Sequence, residues 1–228
     1  METMTTSIIL PFLVFFPFLG AVISYIIGRS NKGARDIWCW ILSAVIFIAS
    51  LTLIGKETVY SLRGFCGLGL SFAADGFGVI LAVLTGAIWL ITTIFSKEYM
   101  AAERNRNRYY FFVFLTLGAT MGIFLSADLF TTFIFFEIMS FTSFVLVMHD
   151  EEDFTVRSAK TYLAVAVIGG LVTLMGLFMM YQKAGTLNMA ELTAFMQSRE
   201  NPAEFYAIGV LILFGFAAKA GLFPLHIW

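Results

Sequence analysis

Two ionisable residues sit where such residues are expensive. Glu137 lies inside the run LFTTFIFFEIMSFTSFVLVM, and Lys219 lies inside FYAIGVLILFGFAAKAGLF. A charge near the centre of a bilayer costs about 3 kcal/mol on insertion scales, so residues of this kind face a partner or water and mark ion routes. Glu137 comes about nine residues into its run and Lys219 about fourteen into the other, which places both near mid-membrane at comparable depth. Ser140, one helical turn after Glu137, adds a second polar group on nearly the same face. A lysine and a carboxylate at one level can hand a proton along, because the charge of each sets the proton affinity of the other. The alternative is a static buried ion pair that only locks two helices together.

Other ionisable residues lie at the ends of the apolar runs. Asp128 opens the run that carries Glu137, where a carboxylate caps a helix; a place in the proton route is the alternative. Lys160 starts a later run and either joins the Glu137 chain or, with Arg157, snorkels to the membrane boundary. His226 follows Pro224, whose missing N–H interrupts the last helix, so the histidine is a relay or a boundary residue. Asp75 is expected to cap the third helix, His149 to sit at a helix end, and the acidic run 150–153 to complement a helix N-terminus. Gly169 and Gly170 are expected to allow close helix packing. Cys39 and Cys66 lack the number and spacing of a metal or disulfide framework and are read as apolar fillers. No haem, flavin, iron–sulfur or nucleotide spacing occurs, so no cofactor and no metal is expected.

Positioning these groups requires membrane-spanning elements. With 60% apolar and 13% charged residues, and 26 phenylalanines, a soluble domain would have far too much apolar surface to hide. A net charge of −1 argues against a nucleic-acid partner. Seven stretches are long enough to cross about 30 Å of hydrocarbon: 7–27, 37–55, 77–95, 109–125, 129–148, 161–181 and 205–223. None alternates with period two, and backbone groups cannot stay unpaired in lipid, so the spans are helices and the fold class is an all-α integral membrane protein. Only Ser126, Ala127 and Asp128 separate the fourth and fifth spans, which calls for a tight antiparallel hairpin. The first span has no cationic segment before it and no cleavage site after it, so it reads as a retained span. Glycines 64, 67 and 69 and the apolar pairs around them suit loop 56–74 to a short hairpin. No linker divides the chain, which is read as a single transmembrane domain over 1–228.

Lysine and arginine counts set the orientation. The loops after the first, third and fifth spans carry Arg29, Lys32, Arg35, Lys97, Arg104, Arg106, Arg108, Arg157 and Lys160; those after the second and sixth carry only Lys56, Arg63, Lys183 and Arg199. The first set is expected on the cytoplasmic side, with the N-terminus and loop 56–74 outside, in a bacterial or archaeal plasma membrane.

Read together, SADLFTTFIFFEIMSFTSFVLV and AAKAGLFPLHIW resemble the antiporter-like membrane subunits shared by respiratory complex I, the multisubunit Mrp sodium/proton antiporters and membrane-bound hydrogenases, with the hydrogenase-4 and formate-hydrogenlyase type the nearest. The residues that carry the likeness are Asp128, Leu129, Phe130, Glu137, Ile138, Met139, Ser140, Lys219, Ala220, Pro224, Leu225, His226 and Trp228, joined by DGFG at 75–78 and SKEYM at 96–100. The resemblance implies a proton-channel subunit in which Glu137 and Lys219 are partners on the fifth and seventh helices of a charged chain along the membrane plane. It also implies a fold of about fourteen helices with inverted repeats and broken helices. In that fold residues 1–108 would be the first three helices and 109–228 the start of the first repeat, with an eighth helix and a second repeat following. Other membrane subunits, lipid, and protons or sodium ions are the implied partners. Three function classes follow in order: a proton- or cation-translocating subunit of a redox-driven or Mrp-type complex, a non-conducting structural membrane subunit, and a quinone-binding redox enzyme. The last would need a pocket with polar handles, which the sequence does not display.

Overall fold

The computed structural model describes residues 5–62, 64–198, 203–223 and 225–226. Arg63, Arg199, Pro224, Trp228 and the side chain of Cys66 therefore lie outside the described residues. The chain divides into two compact units, Met1–Ser126 and Ala127–Trp228.

The first unit holds α1 (Ile9–Ser30), α2 (Lys32–Leu51), α3 (Gly76–Tyr99) and α4 (Arg106–Phe124). α1 packs along α4 and α2, and α3 packs on α2 and α4. Three indoles tie these pairs across otherwise apolar contacts: Trp38 Nε1 donates to Gly20 O at 3.1 Å, Trp40 Nε1 to Thr93 O at 3.2 Å and Trp89 Nε1 to Val113 O at 3.0 Å. In a membrane such bonds add to van der Waals packing because no hydrophobic effect drives helices together. The expected hairpin in loop 56–74 is present: β2 (Thr58–Leu62) pairs antiparallel with β3 (Leu70–Ala74), with Tyr60 opposite Phe72. The short β1 (Thr5–Thr6) adds to β2 in parallel. Alternate residues of β3 are buried, and Phe72 meets Phe15 of α1 edge-on at 6.2 Å. Asp75 caps α3, accepting from Gly78 N at 2.7 Å, as its position at the head of an apolar run foretold.

One charged cluster in this unit is built around a buried arginine and aspartate. Arg35, 0% exposed, donates from Nε and Nη2 to Asp36 Oδ1 at 3.1 and 2.7 Å and from Nη1 to Asn107 Oδ1, and its guanidinium lies 4.8 Å over the Tyr110 ring. Arg106 Nη2 reaches the other Asp36 oxygen at 3.0 Å. Two arginines sharing one carboxylate thus fasten the start of α2 to the start of α4. The sequence counted Arg35 and Arg106 as loop cations; the structure places them in the first turns of α2 and α4.

The second unit holds α5 (Leu129–Val147), α6 (Asp153–Ala184), α7 (Met189–Gln197) and α8 (Ala203–Ala220). A helix therefore falls in each of the seven expected spans, α2 ending at Leu51 before the expected 55. Among the described residues five are long and apolar enough to cross a membrane, α1, α2, α3, α5 and α6, and the apolar part of α8 is shorter. α6 starts eight residues earlier than the apolar run 161–181, immediately after Glu152, and its 32 residues exceed the 30 Å of a hydrocarbon core by several turns. The short α7 lies inside a segment read as a loop; Asn188 caps it by accepting from Ala190 N and Glu191 N, and Leu192 anchors it in a core with Phe130, Leu177, Phe205 and Ile208.

α8 stops earlier than expected, at Ala220. Gly221 takes φ +66°, its N–H donates to Ala218 O, and Leu222 N donates to Ala217 O at 3.0 Å. That is the pair of bonds by which a left-handed glycine ends a helix.

Candidate functional site

α5 delivers Glu137 at its ninth position, half-buried, with the carboxylate against Gly170 of α6. A Cβ on Gly170 would come within 2.5 Å of Glu137 Oε1 and 2.8 Å of Cδ, so the missing side chain is what makes room for the acid. The neighbouring Gly169 does the same for α8, since a Cβ there would meet Ala218 Cβ at 2.8 Å. The two glycines thus serve opposite neighbours. Oε1 of Glu137 is buried and has no hydrogen-bond partner among the described residues. A buried carboxylate oxygen without a donor is costly as an anion, which leaves its charge to be satisfied by a proton, a cation or water.

Lys219 occupies the last turn of α8, next to the glycine break, where the free carbonyls of the helix end favour a cation. Its Nζ donates to Ser143 Oγ at 2.9 Å and lies 4.4 Å over the Tyr162 ring. Ser143 and Tyr162 are themselves joined, Oγ to Oη at 2.7 Å, and Tyr162 is almost wholly buried. Three helices therefore meet through one polar knot: Ser143 from α5, Tyr162 from α6 and Lys219 from α8.

The static ion pair between Lys219 and Glu137, the alternative that the sequence left open, is not formed in this structure. Arg35 and Arg106 form ion pairs with Asp36, whereas Lys219 forms none with Glu137. The amine is engaged six residues beyond Glu137 along α5, about 9 Å of helical rise, because α8 ends in a cap at that level. The two charges still act on each other electrostatically. Ser140, predicted beside Glu137, is buried and donates to Phe136 O at 2.9 Å.

The remaining candidates stand apart from this knot. Asp128 is the N-cap of α5, with Oδ1 accepting from Thr131 N and Oδ2 from Thr131 Oγ1, both at 2.7 Å. Lys160 is exposed in the second turn of α6 beside exposed Arg157, ten residues and about 15 Å of rise before Gly170. His226 is exposed, its ring stacked on Phe223 at 5.6 Å. Ser143 and Tyr162 escaped sequence reasoning. Ser143 continues the i, i+3 series from Glu137 through Ser140, which was a readable signal, whereas Tyr162 is placed by tertiary packing alone.

This geometry can be set beside known proteins. Residues 126–228 match the family model of the NADH:quinone oxidoreductase/Mrp antiporter transmembrane region, which takes in the whole polar knot. The chain is 30% identical over 232 residues to a Na(+)/H(+) antiporter subunit of Bacillus subtilis, 99% of this chain and 46% of that protein. The chain belongs to the antiporter-like membrane subunit family. It is also 31% identical over 160 residues to a Na(+)/H(+) antiporter subunit of Alkalihalophilus pseudofirmus, 70% of this chain and 32% of that protein. The chain thus spans about half or less of the length of the curated relatives it matches. Two solved structures share the fold: an archaeal membrane-bound sulfane sulfur reductase complex, with TM-score 0.86 and 22% identity over 97% of this chain and 47% of that one, and the Mrp complex from Dietzia sp. DQ12-45-1b, with TM-score 0.79 and 23% identity over 95% and 41%. None of these four is of the hydrogenase-4 type that the sequence led one to expect.

Proposed function

We propose that this chain is part of a cation-translocating membrane subunit, that the cation is a proton, and that Glu137 is the group that takes it up and releases it. The observation that supports this reading is the Glu137 carboxylate: half-buried inside a spanning helix, seated in the space left by Gly170, with one oxygen that has no protein donor among the described residues. A carboxylate kept only for structure would be expected to have its donors filled. Lys219 is the counter-charge. Docked on Ser143 and Tyr162 it lies away from the acid, and the flexible lysine chain allows the ammonium to shift toward Glu137 when that group is ionised and back when it is protonated. Membership of a family whose relatives are named antiporter subunits supports cation movement, and relatives in multisubunit complexes support membrane-subunit partners for the complete protein.

The test uses Glu137→Gln in the complete subunit within its complex. Glutamine keeps the shape and can hydrogen-bond but cannot titrate. Proton uptake into vesicles should fall at least about ten-fold while the amount of assembled complex stays near normal. Normal pumping with normal assembly would remove Glu137 from the route, and loss of assembly would favour the non-conducting structural reading.

A further inference from the structure

Four helix ends of the first unit converge on a concavity of about 690 Å³: the end of α1 and start of α2 on one side, the connection from α3 and the start of α4 on the other. Because α1 and α2, whose ends form one side of it, are long and apolar enough to cross a membrane, the concavity falls at the level expected for lipid head groups, whichever side of the membrane that is. Lys32, Arg35, Arg104, Arg106 and Arg108 line it against one acid, Glu103. Even with Asp36 counted behind Arg35 and Arg106, three positive charges remain in excess.

We propose that this concavity binds the phosphate head group of an anionic phospholipid. The framework that holds it is rigid. Arg35 is fixed by Asp36, Asn107 and the Tyr110 ring, and Arg106 by Asp36 and by Lys97 O at 2.9 Å. α4 points its N-terminus into the same space. Asn105 at its N-cap position is left-handed (φ +59°) and the first turn of α4 carries no acid, so the positive end of the helix dipole faces the space without a carboxylate of that turn. A phosphodiester, with its charge spread over acceptor oxygens, fits guanidinium donors and a helix N-terminus together.

The lipid is favoured over a free ion by position and by the rim. Basic pockets between spanning helices at the membrane surface are suited to anionic head groups, with each nearby lysine or arginine adding to the attraction. Tyr25, exposed at the edge of the concavity, is an aromatic residue of the type that sits at the head-group level, and Val22 and Ile26 beside it on α1 present apolar surface for acyl chains. The proposal is independent of the Glu137 route, which lies in the other unit.

Delipidated complete protein, titrated with palmitoyl-oleoyl phosphatidylglycerol and followed by native mass spectrometry, tests it. One phosphatidylglycerol should bind saturably, and phosphatidylcholine should not. Lys32→Gln with Arg104→Gln removes two exposed cations outside the Arg35–Asp36–Arg106 framework, so folding should be unchanged by circular dichroism and phosphatidylglycerol affinity should drop about ten-fold or more. Unchanged affinity in that double variant would overturn the site. Inorganic phosphate binding as tightly as the lipid would overturn the lipid assignment in favour of a free anion. Failure of either to bind, with Lys32 shielded from amine-reactive reagent only in the assembled complex, would replace the lipid by an acidic segment of a neighbouring subunit.

Discussion

At the scale of single residues, the adjacent glycines of α6 have separable consequences. Gly170 borders the Glu137 carboxylate, and Gly169 borders Ala218 and the Gly215 backbone of α8. Gly170→Ala must therefore push the acid aside, which is cheap in packing but displaces the titrating group; proton uptake should fall several-fold with little loss of stability. Gly169→Ala meets Ala218 Cβ at 2.8 Å and the Gly215 carbonyl at 3.2 Å, which cannot swing away. It should cost about 1–3 kcal/mol as overpacking, read as a lower thermal midpoint in detergent. Equal effects of the two on both readouts would show that Gly170 serves packing alone. The sequence announced the pair as a close-packing feature, and packing is half of what they do. Which glycine faced the acid was not legible, since that depends on the rotation of α6 against α5.

At the scale of elements, the site is made by where helices end. The sequence treated 205–223 as one span and so placed Lys219 at the depth of Glu137. The helix instead closes at Gly221, and the signal for this was present as a glycine with a proline three residues later. Hydrophobicity outweighed it. The start of α6 was missed for the converse reason: the acidic run resembled a loop, yet acids suit the first turn of a helix. With Lys219 hydrogen-bonded to Ser143 and not to Glu137, the lysine is expected to couple more strongly to the serine than to the acid. Charged hydrogen bonds contribute about 1.5–3 kcal/mol, so a double-mutant cycle between Lys219→Met and Ser143→Ala should give a coupling of about 1–2 kcal/mol in thermal unfolding. The cycle with Glu137→Gln should give clearly less. The reverse order would mean that the ion pair, and not the α5–α6–α8 knot, holds these helices.

At the scale of the whole molecule, orientation is what would give the proposed proton route its direction, and its expectation rests on loops that the fold only partly alters. Arg35 is buried against Asp36 and the half-buried Arg106 joins it there, so two of the cations expected on the cytoplasmic side are engaged in the fold. The bias survives. Topology is set by lysines and arginines near the span ends during insertion, before tertiary burial, and acids contribute little to it. Nine such residues on one set of loops therefore still outweigh four on the other. The β2–β3 hairpin supplies a marker for the opposite side, because Ser61 is exposed on β2 while Ser30 is exposed at the end of α1. In a background of Cys39→Ala and Cys66→Ala, a cysteine at position 61 should react with an impermeant maleimide in intact cells, and a cysteine at position 30 only after permeabilisation. Labelling in the reverse order would invert the membrane orientation and, with it, the side from which Glu137 takes its proton.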